Sequence, residues 1–320
     1  MQPTITFQNT VIEADPDKSV LENLLAYGFA VPNSCRAGIC QACKLLAIDG
    51  EVAAEAQNGL SDAQKQLGIF LACCCRASSS LTVGLPDAAQ ISQQARVLEK
   101  ALIAENVLRL RLKVDFKWQP GQVINCLKDD TLIRSYSIAS TMAEGFVELH
   151  IRLYPNGRFG QWAKQALHEG DLLRVELPFG ECVYDPASYQ QDLLLVATGT
   201  GLAPLIGIIK EAIANHHQGH LILYVGAGEP SHFYYAQELS ALAAGFSGLK
   251  VHYVARRNPE DTMFAGNVED VVLAQHTQMK GLRAYLCGAP EMTSALMKKC
   301  FMRGIKKADL LVDAFEPARQ

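Results

Sequence analysis

The amino-acid sequence predicts a multidomain protein of mixed class, α+β toward its N-terminus and α/β toward its C-terminus. Three observations carry that expectation. The chain has 320 residues, more than one core ordinarily organises. Six of its ten cysteines fall within the first 75 residues. The texture of the apolar runs also changes twice, near residue 96 and near residue 190. With 49% hydrophobic and 19% charged residues, the composition is that of an ordinary globular protein. It excludes a disordered chain, a collagen-like repeat and a coiled coil. A net charge of −4 argues against a nucleic-acid partner, which would call for a basic surface.

The first 85 residues read as one compact unit. Thr4–Phe7 and Val11–Ala14 alternate as short strands around Asn9-Thr10. A helix from Ser19 to Tyr27 follows, with Ser19 and Glu22 as a capping box and Gly28 as its stop. A second short helix starts at Ser61, with Gln64 as the box partner, and Lys44–Ile48 and Leu81–Gly84 are candidate strands. Residues 86–95 are polar, weakly patterned and read as a linker. From 96 to 187, short apolar runs broken by Pro and Gly (Val97–Ala104, Val107–Val114, Gln122–Leu127, Phe146–Leu153, Leu172–Leu177) indicate an antiparallel barrel or sandwich. From 188 to 320 the strand runs at 192–197, 221–225, 250–254 and 284–287 alternate with helical segments, the pattern of a doubly wound parallel sheet.

Met1-Gln2-Pro3-Thr4-Ile5 lacks a basic start and an apolar stretch, and no run approaches the roughly 18–20 residues that span a bilayer. The expectation is a cytoplasmic protein with no membrane partner, in which clustered cysteines serve metal or redox chemistry rather than disulfides. Cys35, Cys40 and Cys43 form Cys-x4-Cys-x2-Cys, and Cys73 follows after 29 residues. Three thiolates on one loop plus one from afar is the spacing of a plant-type 2Fe–2S ferredoxin, and it suits paired zinc knuckles poorly. Cys73 closes the apolar run Phe70-Leu71-Ala72 and is the expected fourth ligand, with Cys75 its competitor. On an extended strand Cys74 would point away from that iron. Cys126, Cys182 and Cys300 read as buried small apolar residues. His216, His217 and His220 read as a solvated turn rather than a metal site.

Three further segments suit nucleotide cofactors. Arg134-Ser135-Tyr136-Ser137 offers a guanidinium for phosphate, a flat ring and a hydroxyl. Gly157-Arg158-Phe159-Gly160-Gln161 opens a helix whose free N–H groups can face a pyrophosphate. Gly199-Thr200-Gly201-Leu202-Ala203-Pro204 follows a buried strand and starts a helix, and Cys287-Gly288-Ala289-Pro290 ends a later strand of the same sheet.

In this order the segments resemble an electron-transfer component of a bacterial multicomponent oxygenase: a plant-type ferredoxin domain fused to a ferredoxin–NADP⁺ reductase-like module. The resemblance covers essentially all 320 residues. It implies a β-grasp ferredoxin domain, an antiparallel β-barrel FAD domain and a doubly wound NAD(P) domain. It also implies an Arg-x-Tyr-Ser flavin motif at Arg134, Tyr136 and Ser137, with the serine near the reactive nitrogen. The pyrophosphate turn would span Gly157–Gly160, where Gly160 replaces the family's hydroxyl residue. The Gly-Thr-Gly-x-Ala-Pro and Cys-Gly-x-Pro turns would bind the nicotinamide dinucleotide, with Cys287 and Gly288 near the nicotinamide and Phe315 covering the flavin. Implied cofactors are FAD, one 2Fe–2S cluster and NAD(P)H. NADH is favoured mainly because the oxygenase reductases the chain resembles commonly use it; Glu229 after the second strand would repel a 2′-phosphate, whereas Arg256-Arg257 after the third could attract one. Implied partners are a terminal oxygenase component or an intermediate ferredoxin, and a reductase of deoxysugar biosynthesis shares the same cofactor chain. Hydride transfer needs no general acid or base, so the reactive centre is expected to hold positioning residues only, with Ser137 and Cys287 closest to the chemistry.

Overall fold

A computed structural model describes residues 2–316, without the side chains of Ala88 and Ala89. Three sheets follow one another along the chain. The first is built from β1 (Thr4–Phe7), β2 (Thr10–Glu13), β3 (Lys44–Asp49), β4 (Ile69–Leu71) and β5 (Leu81–Gly84), in the order β2-β1-β5-β3-β4. β1 pairs antiparallel with β2 and parallel with β5, so the chain crosses over between its first and last strands. Helix α1 (Val20–Ala26) makes that crossing and buries Val20, Leu21 and Leu24 against the sheet. The Ser19/Glu22 box caps it, and the Ser61/Gln64 box caps the short α2 (Asp62–Gln66), as both spacings predict. This is the β-grasp arrangement.

The polar stretch read as a linker is not irregular throughout. It contains the four-residue α3 (Ala88–Ile91) and the start of β6 (Ser92–Ala104). Gln93, Gln94 and Ala95 extend β6 because they pair with β11 (Leu172–Glu176), a partner about 80 residues downstream. The second sheet adds β7 (Val107–Lys113), β8 (Val123–Leu127), β9 (Ile133–Ser137) and β10 (Val147–Arg152), ordered β10-β7-β6-β11-β8-β9, every pair antiparallel. A bridge between Ile138 and Leu149 joins its two ends, so the sheet closes as a barrel. The Arg134–Ser137 motif lies within β9. Helix α4 (Arg158–Ala166) plugs one end with Phe159 and Ala163.

The third sheet is wholly parallel. Its elements are β12 (Leu193–Thr198), α5 (Leu202–Ala214), β13 (Leu221–Ala227), α6 (Ala236–Gly245), β14 (Leu249–Ala255), β15 (Phe264–Ala265), α7 (Val268–Gln275), β16 (Arg283–Gly288), α8 (Pro290–Met302) and β17 (Leu310–Ala314). The strand order β15-β14-β13-β12-β16-β17 reverses direction beside β12, and the crevice at that switch point is where ligands of such sheets bind. Of the histidines after α5, His216 and His220 are exposed as a solvated turn requires, whereas His217 is buried with its Nδ1 3.1 Å from the Tyr184 hydroxyl. Among the described residues no helix is long and apolar enough to cross a membrane.

Candidate cofactor site

The loop between α1 and β3 carries the first three cysteines. The Cys35 Sγ accepts backbone N–H bonds from Ala37 (3.3 Å) and Cys40 (3.4 Å), and the Cys40 Sγ accepts one from Cys35 (3.5 Å). The Cys40 thiol and these backbone groups hold Cys35 down at about 5, in the thiolate range. Cys43 Sγ lies 3.3 Å from Cys73 Sγ. The four thiols therefore stand as two pairs, Cys35 with Cys40 and Cys43 with Cys73. Thiolates sharing one tetrahedral metal with bonds of about 2.3 Å are roughly 3.8 Å apart, so each pair fits one metal. Among the described residues no three His, Cys, Asp or Glu side chains converge on a single ion. Two pairs suit a two-iron cluster and not one zinc.

The competitor Cys75 is buried in the ferredoxin core with its thiol 3.8 Å from the Arg76 carbonyl. Cys74 differs from expectation. Residues 72–74 form a turn, closed by Cys74 N–H to the Leu71 carbonyl at 2.9 Å, and not an extended strand. The turn brings Cys74 Sγ within 3.7 Å of Cys73 Sγ.

Beside this loop lies a cavity of about 900 Å³ with three walls. Asn33, Cys35, Arg36, Ile39 and Cys40 form the first. Arg134, Tyr136, Ser137, Arg152 and the turn Gly157–Gly160 form the second. Thr200, Ala203, Asp313 and Phe315 form the third. Among the described residues Arg134, Arg152 and Arg158 make no ion pair with a carboxylate. Burial and the neighbouring Arg158 charge both disfavour the Arg134 cation. Helix α4 begins at Gly157 with no side-chain cap, leaving its first N–H groups available on the same wall. Uncompensated guanidiniums beside an uncapped helix start fit a pyrophosphate. Tyr136 supplies a half-buried ring, 5.5 Å from that of Phe159. Gly160 packs against β10, where an added Cβ would lie 3.3 Å from Leu153, and Gln161 donates to the Tyr154 carbonyl at 2.8 Å.

The two nucleotide turns are fitted to each other. A Cβ on Gly201 would lie 2.2 Å from the Cys287 carbonyl oxygen, and Gly288, at φ +125°, would place one 2.4 Å from Thr198 Oγ1. Ala289 N–H donates to that same hydroxyl at 2.9 Å. Leu202 and Pro204 are buried in the first turn of α5. The structure does not bring the Cys287 side chain to the cavity: it is fully buried, with its thiol 3.9 Å from Cys182 Sγ, and burial pushes that thiol well up. Phe315 N–H donates to the Gly288 carbonyl at 2.8 Å, which seats its ring at the cavity wall. Glu229 lies two residues beyond the end of β13, half-buried, where its carboxylate accepts from Arg257 Nε at 2.9 Å.

Sequence reasoning missed Asp313. It stands opposite Cys287 in the β16–β17 register, and its carboxylate accepts the Ser137 hydroxyl at 2.6 Å. Burial lifts its carboxyl to about 6 against the opposing pull of Ser137. The available signal was an acid inside the apolar run Leu310-Leu311-Val312-Asp313-Ala314.

Fold and site define a three-domain flavo-iron–sulfur oxidoreductase. Matches to family profiles agree: a 2Fe–2S iron–sulfur cluster binding domain over residues 4–78, an oxidoreductase FAD-binding domain over 94–184 and an oxidoreductase NAD-binding domain over 195–298. The reductase component (ferredoxin–NAD(P)⁺) of the naphthalene 1,2-dioxygenase system of Pseudomonas putida is 31% identical, covering 99% of both chains. The reductase subunit of an aromatic O-demethylase of Amycolatopsis is 29% identical over 96% of each. A crystal structure of an Amycolatopsis cytochrome P450 reductase superposes with a TM-score of 0.69 at 27% identity, covering 99% of this chain and 100% of that one. The chain belongs to the family of ferredoxin–NAD(P)⁺ reductase components of oxygenase systems, and it moves electrons from NAD(P)H through FAD and a 2Fe–2S cluster.

Proposed function

We propose that this protein takes electrons from NADH and delivers them to the terminal component of an aromatic-ring oxygenase or to that system's intermediate ferredoxin. The observation that carries the reading is the cavity shared by three walls, one from each domain. FAD held here would supply the conversion of a hydride's electron pair into single electrons, and a 2Fe–2S cluster would supply one-electron carriage. The chain's own groups would hold these cofactors. Arg134, Arg158 and the N–H groups of Arg158, Phe159 and Gly160 would neutralise the pyrophosphate, with Arg152 beside them. Tyr136 and Phe315 enclose the ring system, and the Ser137–Asp313 pair fixes a hydroxyl at the cavity wall. Gly199–Pro204 and Cys287–Gly288 shape the dinucleotide crevice through backbone, with Cys287 contributing its carbonyl and not its thiol. Cys35, Cys40, Cys43 and Cys73 would bind the cluster.

The deoxysugar alternative has the same cofactors, and the oxygenase relatives favour the first reading. The preference for NADH rests on Glu229, whose charge meets a 2′-phosphate first. Its Arg257 partner is neutralised by the pair. Purified protein should be red-brown with iron, sulfide and FAD, and should turn over faster with NADH than with NADPH. Glu229→Ala frees Arg257 and should shift that ratio toward NADPH by a few-fold, since an exposed pair is worth about 1 kcal/mol or less. A colourless zinc protein would overturn the cofactor assignment, and a strong NADPH preference in the unmodified protein would overturn the choice of donor.

A further inference from the structure

Lys44 follows Cys43 directly in the chain, and its side chain has a relative exposure of only 4%. Lysine is almost never buried without a partner. The partner here is Glu176 at the end of β11, 2.6 Å away and 2% exposed, so a closed ion pair crosses the seam between the ferredoxin domain and the barrel. The Phe179 ring lies 5.9 Å from the same ammonium. Glu176 also accepts from Asn125 Nδ2 at 2.8 Å. That bond orients the amide so that Asn125 Oδ1 faces Ser135, whose hydroxyl stands 2.6 Å from it and 3.1 Å from the Cys40 carbonyl. Ser135 is the one residue of the flavin motif that the site described above leaves without a role.

The polar chain thus touches the ferredoxin domain at two points, Cys40 and Lys44, which bracket Cys43. The apolar part of the seam is small, consisting of Ala42, Leu127 and Ile133 with Cys40 against them. Small apolar contacts tolerate sliding, whereas a buried pair at hydrogen-bond distance does not. An apolar pair of similar volume would hold the domains together as well or better, so the charges contribute one specified pose.

We propose that Lys44 and Glu176, acting through Asn125 and Ser135, are positioning residues that clamp the segment Cys40–Lys44 against the flavin cavity and thereby set the rate of electron passage from flavin to cluster. This rests on the site reading under Proposed function. The test uses the full-length protein, with the uncharged double variant Lys44→Met/Glu176→Leu and the single variant Glu176→Gln, which keeps a polar partner for Asn125. Both are mixed anaerobically with NADH in a stopped-flow instrument that follows flavin and cluster absorbance separately.

Both variants should keep wild-type FAD and iron content, flavin reduction rate and ferricyanide reduction. The flavin-to-cluster step should slow about tenfold or more in the double variant, as expected for a misplacement of around an ångström, and less in Glu176→Gln. Wild-type flavin-to-cluster rates in both variants would overturn the clamp and leave the site reading intact. Equal slowing of flavin reduction and cluster reduction would also overturn it, because that is general structural damage. A wild-type protein whose flavin is reduced while its own cluster never is would overturn the site reading, and the clamp with it.

Discussion

The barrel meets its two neighbours through seams built on different plans. Toward the ferredoxin domain there are one buried ion pair, the Ser135 hydroxyl on the Cys40 carbonyl, Arg134 on the Asn33 carbonyl and a few small apolar side chains. Toward the nucleotide domain, Glu148 sits at the centre of a network. It accepts from Arg111 Nε (2.7 Å) and the Tyr235 hydroxyl (2.6 Å) and meets His150 Nε2 at 3.1 Å. Glu99 bridges Arg109 and Arg111, and His150 Nδ1 reaches the Tyr234 hydroxyl at 3.1 Å. Burial alone would raise the Glu148 carboxyl, but His150, Tyr235 and Arg111 together hold it well below the usual range. The nucleotide seam therefore carries several interlocked polar contacts around one buried carboxylate. The ferredoxin seam has the least that can fix a pose, which makes it the place where one substitution changes electron flow without touching hydride transfer.

The largest effect that separates the two sides is removal of the cluster. Cys40→Ser should abolish the cluster's visible absorption while leaving NADH-dependent ferricyanide reduction, because the nucleotide seam and the flavin wall beyond Cys40 stay intact. Loss of both activities would erase the distinction between the seams.

On the other seam, Glu148→Ala leaves Arg111, His150 and Tyr235 facing an emptied buried site. It should cost about 3–5 kcal/mol in chemical unfolding, as breaking a buried ionic network does. The Glu148 contribution is present above the ordinary carboxylate pKa and lost as pH falls below it, so the difference between variant and wild type should narrow in acid. A substitution with no effect on stability would show that the network is ornamental to the seam.

Asp313 has the opposite sign and a smaller effect. Its carboxyl is raised to about 6, so its protonated form is favoured in the fold and stability is lost as pH rises from 3.8 through about 6. Asp313→Asn should therefore raise Tm above pH 6 by roughly a few degrees, with the gain vanishing near pH 4. An equal shift at both pH values would contradict this assignment.

The cysteine loop was legible because its three thiols lie within nine residues of one another. The helix caps at Ser19 and Ser61 were legible for the same local reason. The turns at Gly199 and Cys287 could be located from the alternation of strand and helix, yet the burial of the Cys287 thiol depends on Cys182, 105 residues away. Lys44 and Glu176 are 132 residues apart, and each alone reads as an ordinary surface charge. Ser137 was found by its motif, whereas its partner Asp313, 176 residues on, was hidden in an apolar strand. The reading of Cys74 failed because a strand was assumed to continue through residues that the Leu71–Cys74 hydrogen bond folds into a turn.

The central claim is that flavin and cluster exchange electrons within one molecule across the wall formed by Asn33, Cys35, Arg36, Ile39 and Cys40. The direct test is the dependence of cluster reduction on protein concentration after anaerobic mixing with NADH. A first-order rate that stays constant when protein concentration is changed tenfold is the expected result, whereas a rate rising in proportion to concentration would place the transfer between molecules and contradict the account.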